Sequence, residues 1–142
     1  GYEDYRHPTK VEFVRELDID AKRRDFTMNA IYMDLNQNIL DPFNGQEDLA
    51  KGMIKTIGDP YVRFKEDPLR ILRAVRFAML LHFETKLAMM KEKDFILNMN
   101  PQKVEEEIRK MKKISSKEYL SFLEKYELLD VLSPVLKKIE KN

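Results

Sequence analysis

The chain has 142 residues, which is enough for one domain or for two small lobes. It is 43% hydrophobic and 36% charged with a net charge of +1, so any affinity for nucleic acid must come from a local basic patch. Cysteine is absent, which excludes disulfide frameworks and thiolate zinc sites. No apolar run approaches the roughly 20 residues that span a bilayer, and we expect no membrane association.

In the first part of the chain, apolar and polar residues do not recur at a regular spacing. Residues 1–17 are predicted to form a loop, with a short strand at Val11–Val14. A helix is predicted to begin at Asp18 or Asp20, either of which can cap it, and to run to about Met28. Two carboxylates at i and i+2 also suggest a metal site, but on a helix such side chains diverge.

Alternating residues then predict a β-hairpin. Ala30–Asp34 reads as a half-buried strand, Leu35–Asn38 supplies turn residues, and Ile39–Leu40 begins the partner strand. Gln46–Lys51 is predicted to be a short helix, and Met53–Ile57 a further strand. The first half is therefore mixed α and β.

The second half reads as helices only, because apolar residues recur at spacings of three and four. Breaks are expected near residues 82–85, 98–101, 114–116 and 133–134. Helices are predicted at about 67–81, 102–113, 117–128 and 134–140. The predicted fold class is α+β, with short antiparallel strands and helices over residues 1–58 and an all-helical segment over residues 59–142.

The helix predicted at 67–81 is rich in arginine. Asp67 is a natural N-cap, and Pro68 suits the first helical position. Arg70, Arg73 and Arg76 follow at i, i+3 and i+6, so they repel one another unless an anion such as a triphosphate lies across them. Alternatively, the arginine stems cover apolar surface with their heads in water.

A second polar stretch, Lys22–Ala30, leads directly into the first predicted strand. Each of its polar residues has a plain structural explanation. Asp25 can pair with an arginine, Thr27 can bond to its own backbone, and Asn29 can end a helix.

Four stretches taken in succession resemble the class II tRNA nucleotidyltransferases, which are the CCA-adding enzymes and the related bacterial poly(A) polymerases. The stretches are Arg23–Ala30, Asp41–Gly45, Ile57–Gly58 and Arg63–Phe77. The resemblance covers residues 1–83, and beyond them it extends to the helical layout only. It implies a partial nucleotidyltransferase head at residues 1–58, followed by a helical neck and the start of a body at residues 59–142.

The resemblance also implies roles for individual residues. Asp67 and Arg70 would read the Watson–Crick edge of the incoming CTP or ATP, and we expect their side chains to touch across a cleft. Arg24, Arg73 and Arg76 would line the nucleotide site. Supporting positions would be Glu66, Asp25, Thr27 and Asn29.

The function implied is the addition of CCA, or of the terminal A, to the 3′ end of tRNA in the cytoplasm. Residues 4–14 would be the flexible loop that serves terminal A addition. The family's glycine-rich turn and its Mg²⁺-binding carboxylates would lie upstream of this chain, so we expect the fragment alone to be inactive.

Two alternatives stay open. One is a bacterial poly(A) polymerase, because the base-reading pair and the arginines are shared. The other is a non-catalytic, RNA-binding helical module that uses the arginine face. The acidic run Glu105–Glu107 and the low net charge count against the second alternative.

Overall fold

The computed structural model describes residues 10–85, 96 and 98–141, with the backbone alone for residues 10–14. Within those residues the fold is α+β, as predicted, with seven α-helices and one two-stranded antiparallel sheet. No helix in the described part combines the length and the apolar character that crossing a bilayer requires.

The first helix, α1, spans Lys10–Lys22, where the sequence predicted a loop up to residue 17. That prediction was wrong, because charged pairs four residues apart stabilise the helix without an apolar period. Lys22 Nζ lies 2.9 Å from Asp18 Oδ2. Asp18 and Asp20 therefore lie inside α1 and do not cap a helix that starts there. The predicted continuation to Met28 is also wrong, since α1 ends at Lys22.

The loop expected at residues 4–14 is described only in part. Residues 4–9 lie outside the described residues, and residues 10–14 form the start of α1. The strand predicted at Val11–Val14 is therefore wrong, and the role of this loop in terminal A addition stays a prediction.

A 3₁₀ turn at Thr27–Asn29 leads into the predicted hairpin. Strand β1 (Tyr32–Met33) pairs antiparallel with β2 (Ile39–Leu40), so the hairpin prediction is confirmed. The Asp34 carboxylate accepts the backbone N–H of both Asn36 and Asn38 at 2.8 Å, which fixes the turn between the strands.

Helix α2 spans Gly45–Lys51 and ends at Gly52, whose φ of +67° suits glycine. A Cβ on Gly45 would lie 2.1 Å from the Thr27 carbonyl oxygen, so the start of α2 packs directly on the 3₁₀ turn. The strand predicted at Met53–Ile57 is wrong. Only single bridges form there, from Met53 to Glu84 and from Thr56 to Phe26.

Two consecutive helices, α3 (Pro60–Glu66) and α4 (Leu69–Leu81), carry the arginine-rich stretch. The extended conformation of Asp67 separates them, and its Oδ1 accepts the Leu69 N–H at 3.2 Å. Helix α4 ends at His82 in the left-handed conformation. Its buried face consists of Leu69, Ile71, Leu72, Ala74, Val75, Ala78 and Met79.

The remaining helices pack against α4 and against one another. They are α5 (Pro101–Ile114), α6 (Tyr119–Lys125) and α7 (Leu129–Glu140). The break predicted at 133–134 is wrong, because Pro134 lies inside α7. Phe26 and Ile54 share one hydrophobic core with these helices, and the predicted division after residue 58 stays a prediction.

Candidate functional site

The carboxylate of Asp25 is the centre of an ion-pair network between the segment after α1 and helix α4. Arg70 Nε donates to Asp25 Oδ1 at 2.9 Å. Arg73 Nε donates to Asp25 Oδ2 at 2.6 Å, and Arg73 Nη2 donates to Oδ1 at 3.2 Å. One carboxylate therefore fixes two guanidiniums from neighbouring turns of the same helix.

Two further carboxylates, from the α3–α4 junction, complete the network. Arg73 Nη2 donates to Asp67 Oδ2 at 3.1 Å, and Arg70 Nη1 donates to Glu66 Oε1 at 3.2 Å. The side chains of Asp67 and Arg70 share no hydrogen bond with each other, contrary to the expectation that they touch. Arg73 links Asp67 to Asp25, while Glu66 lies on the other side of Arg70.

Burial and ion pairing shift the pKa values of the residues in this network in opposite directions. Burial raises the pKa of Asp25, but the hydrogen bonds from Arg73 and Arg70 outweigh it, and the pKa lies below its ordinary value. Burial lowers the pKa of Arg73, but its bonds to Asp25 and Asp67 hold that pKa above the ordinary value. Both groups are therefore ionised at neutral pH.

Arg63 belongs to the same network, although the sequence analysis assigned it no role. Its Nη1 donates to Glu66 Oε1 at 3.1 Å, and its Nη2 donates to the carbonyl oxygen of Arg24 at 2.8 Å. The spacing of three residues between Arg63 and Glu66 on a helix was a usable signal. The contact with Arg24, 39 residues away, had no signal in the sequence.

Arg24 lies at the edge of the network. Its Nη2 donates to Asp20 Oδ2 at 3.1 Å, and its side chain is 49% exposed. Tyr32 donates its hydroxyl to the same oxygen at 2.6 Å. The bond from Tyr32 and then that from Arg24 lower the pKa of Asp20. Arg24 is therefore a cation that is half exposed at the surface while it pairs with Asp20.

Thr27 and Asn29 lie apart from the guanidiniums. Thr27 is buried, and its hydroxyl donates to Asp48 Oδ2 on α2 at 2.5 Å. Asn29 lies exposed at the end of the 3₁₀ turn. Both residues follow Asp25 in the same segment, and their supporting role stays a prediction.

The Arg76 side chain contacts helix α5, and not the segment that carries Asp25. Its Nε donates to Glu107 Oε1 at 3.1 Å, and its guanidinium lies 4.9 Å from the ring centre of Phe77. Glu107 is buried and also accepts from Lys110 at 3.0 Å. Arg76 thus joins α4 to α5 and does not contact the Asp25 network.

The described residues do not fit a metal ion. They contain no group of three or more acidic, histidine or cysteine side chains that could hold one. Asp18 is paired with Lys22, and Asp20 is engaged by Arg24 and Tyr32. No step of a reaction is therefore assigned to a metal held by these residues.

The chain is similar in sequence to known proteins. Residues 1–55 match the family model of the poly A polymerase head domain. Over 115 residues the chain is 47% identical to a CCA-adding enzyme of Lactobacillus helveticus, which covers 78% of this chain and 29% of that protein. Over 86 residues it is 54% identical to a CCA-adding enzyme of Ligilactobacillus salivarius, which covers 61% of this chain and 21% of that protein.

Solved structures show the same likeness. The CCA-adding enzyme of Bacillus stearothermophilus in complex with CTP superposes with a TM-score of 0.68 and 36% identity, over 79% of this chain and 30% of that one. A CCA-adding enzyme with ATP gives a TM-score of 0.73 and 25% identity, over 83% and 30% of the two chains. The Thermotoga maritima CCA-adding enzyme complexed with tRNA gives 0.72 and 25%, over 83% and 31%.

The α+β fold of the described residues, mostly helices with one short antiparallel sheet, matches that of solved tRNA nucleotidyltransferases. The chain belongs to the class II tRNA nucleotidyltransferase family, which comprises the CCA-adding enzymes and the related poly(A) polymerases. It spans 29% of the length of the Lactobacillus helveticus relative.

Proposed function

We propose that the whole protein adds CCA, or its terminal A, to the 3′ end of tRNA from CTP and ATP. The observation that carries the proposal is the network in which Asp25 binds Arg70 and Arg73, and Arg73 in turn binds Asp67, where α4 begins. The similar structures that hold CTP, ATP and tRNA support the choice of substrates. A location in the cytoplasm stays a prediction.

In this proposal Asp67 and Arg70 replace the template strand. Cytosine presents an amino donor beside a ring acceptor, and adenine presents a similar edge, whereas uracil and guanine present the reverse order. A carboxylate accepts from the amino group while a guanidinium donates to the ring nitrogen. The wrong base leaves these groups unpaired, and this penalty supplies the selection.

The two side chains retain capacity for a base. Asp67 is 34% exposed, and each oxygen of a carboxylate can accept a second hydrogen bond beyond those from Leu69 and Arg73. The Nη2 group of Arg70 finds no partner among the described residues. The pair therefore needs no complete rearrangement before it can bind a nucleotide.

The charges of the network balance, and this limits what it can do alone. Arg63, Arg70 and Arg73 face Asp25, Glu66 and Asp67, so the six side chains leave no excess positive charge for a triphosphate. We propose that Arg24 supplies an accessible cation, and that Arg73 reaches the phosphates when the nucleotide displaces it from Asp67. The family suggests a divalent metal, and we propose Mg²⁺ bound outside the described residues.

The test is Asp67→Ala in the whole protein, with tRNA that lacks CCA as acceptor. We expect the variant to lose its preference for CTP and ATP over UTP. Asp130→Ala is the control for the loss of an acidic side chain, because Asp130 is exposed in the first turn of α7 and has no place in the network. If Asp67→Ala retains the selectivity of the wild type, the assignment of the base-reading pair is wrong.

A poly(A) polymerase is the second candidate, because the family model that matches residues 1–55 describes a poly A polymerase head domain. The two activities differ in their acceptor and in where they stop. A protein that adds only A, without limit and to RNA unrelated to tRNA, would be a poly(A) polymerase. Addition that stops after CCA on tRNA supports the first candidate.

A further inference from the structure

Arg63 contacts the network through both its side chain and its backbone. Its guanidinium joins the Glu66 carboxylate to the Arg24 carbonyl, and its side chain is 15% exposed. Its own carbonyl oxygen accepts Arg70 Nη1 at 2.9 Å and the Asp67 backbone N–H at 3.2 Å. One residue therefore contacts four of the positions that the sequence assigned to the site.

The bond to Arg24 has a specific consequence. The Arg24 carbonyl belongs to the same planar peptide unit as the Asp25 N–H, so Arg63 restrains the backbone from which the Asp25 carboxylate projects. That carboxylate in turn holds Arg70 and Arg73. Arg63 thus restrains Arg70 on both sides, through Asp25 and through Glu66.

An arginine fits this position better than a lysine. A guanidinium donates in two directions in a fixed plane, as the bridge from Glu66 to Arg24 requires, whereas an ammonium is a single point of charge. The third nitrogen, Nε of Arg63, is buried and finds no hydrogen-bond partner among the described residues.

We propose that Arg63 is a positioning residue that sets the orientation of the Arg70 guanidinium and thereby the selection of the nucleotide base. The inference rests on the proposed function and deepens it. Arg63 need not touch the nucleotide, since it acts through Glu66 and through the Arg24–Asp25 peptide. A merely structural role, in which Arg63 ties α3 to the segment after α1, would leave base selection unchanged.

The experiment compares Arg63→Met and Arg63→Lys with Lys65→Met in the whole protein. Lys65 is exposed on the same helix and does not contact the network, so its substitution controls for the loss of one charge on α3. The measurements are kcat and KM for CTP, ATP and UTP on tRNA that lacks CCA, and the thermal melting of each variant.

We expect Arg63→Met to lower the ratio of kcat/KM for CTP over UTP at least tenfold and to raise KM for CTP. Arg63→Lys should lower the ratio as well, because lysine keeps the charge and loses the bridge. Lys65→Met should match the wild type. If Arg63→Met fails to fold, the ratio measured on Arg63→Lys decides.

Two results overturn the proposal. An equal loss of rate with all three nucleotides, at an unchanged ratio, shows that Arg63 is structural and leaves the proposed function intact. If the wild-type protein adds no nucleotide from CTP or from ATP, the proposed function is refuted, and the role of Arg63 with it.

Discussion

Replacing Asp25 by asparagine is the most direct test of the network. Asp25 accepts three hydrogen bonds from two arginines at 2.6–3.2 Å, and its side chain is 20% exposed. Asparagine keeps the shape but removes the charge and turns an N–H group toward donors. Removing one partner of a buried ion pair costs about 3–5 kcal/mol, and partial exposure favours the lower end, so we expect a loss of about 3 kcal/mol.

The assay is urea unfolding of the whole protein, monitored by the helical circular-dichroism signal. Asp18→Asn is the matched control, because Asp18 makes a single exposed ion pair with Lys22 and its substitution should cost about 0.5 kcal/mol or less. If Asp25→Asn costs no more than Asp18→Asn, the network does not stabilise the fold, and the reasoning from its geometry is refuted.

Three other expectations concern pH, packing and the joint between α4 and α5. Because the folded-state pKa of Asp25 is lowered, its contribution is complete above an unfolded pKa of about 3.9 and is lost as the pH falls through the folded value. In urea titrations, the difference between wild type and Asp25→Asn should therefore shrink below about pH 4; a constant difference would contradict this. Gly45→Ala should cost about 2–3 kcal/mol in thermal unfolding, because the new Cβ meets the Thr27 carbonyl oxygen, and an unchanged melting temperature would argue against that close approach. Glu107→Gln should cost about 3 kcal/mol, and a double-mutant cycle with Arg76→Met should be non-additive; strict additivity would mean that the buried pair is not coupled.

Local patterns in the sequence predicted the hairpin and α4 correctly. Alternating residues around a polar turn determine β1 and β2, and the turn is closed by Asp34 within four residues. Helix α4 has an acidic residue before it and an apolar face at helical spacing, and its observed start lies within two residues of the predicted one. The hairpin and α4 depend on residues that are close together in the chain, so the sequence alone can predict them.

Helix α1 was missed for a local reason. Its residues alternate between charged and apolar without a clear face, and Asp18 and Asp20 resemble caps. The pairing of Asp18 with Lys22 and of Asp20 with Arg24, each four residues apart, was the signal that the prediction did not use.

The centre of the site could not be predicted from spacing. Asp25 meets Arg70 and Arg73 across 45 and 48 residues, and only the packed core brings these segments together. Arg76 is a different case. A step of six residues turns a helix about 120° away from the starting face, and Arg76 pairs with Glu107 on α5. The role of Arg76 at the nucleotide site came from the family resemblance and stays a prediction.

Helix α4 is held on two sides at once. Asp25 binds the guanidiniums of one side, and Glu107 of α5 binds Arg76 on another. Helix α4 therefore cannot rotate about its own axis without breaking the hydrogen bonds on one of these sides. Under the proposed function, we therefore expect the difference between accepting a pyrimidine and accepting the larger purine to arise from torsions within Arg70 and Asp67, with little movement of the backbone beneath them.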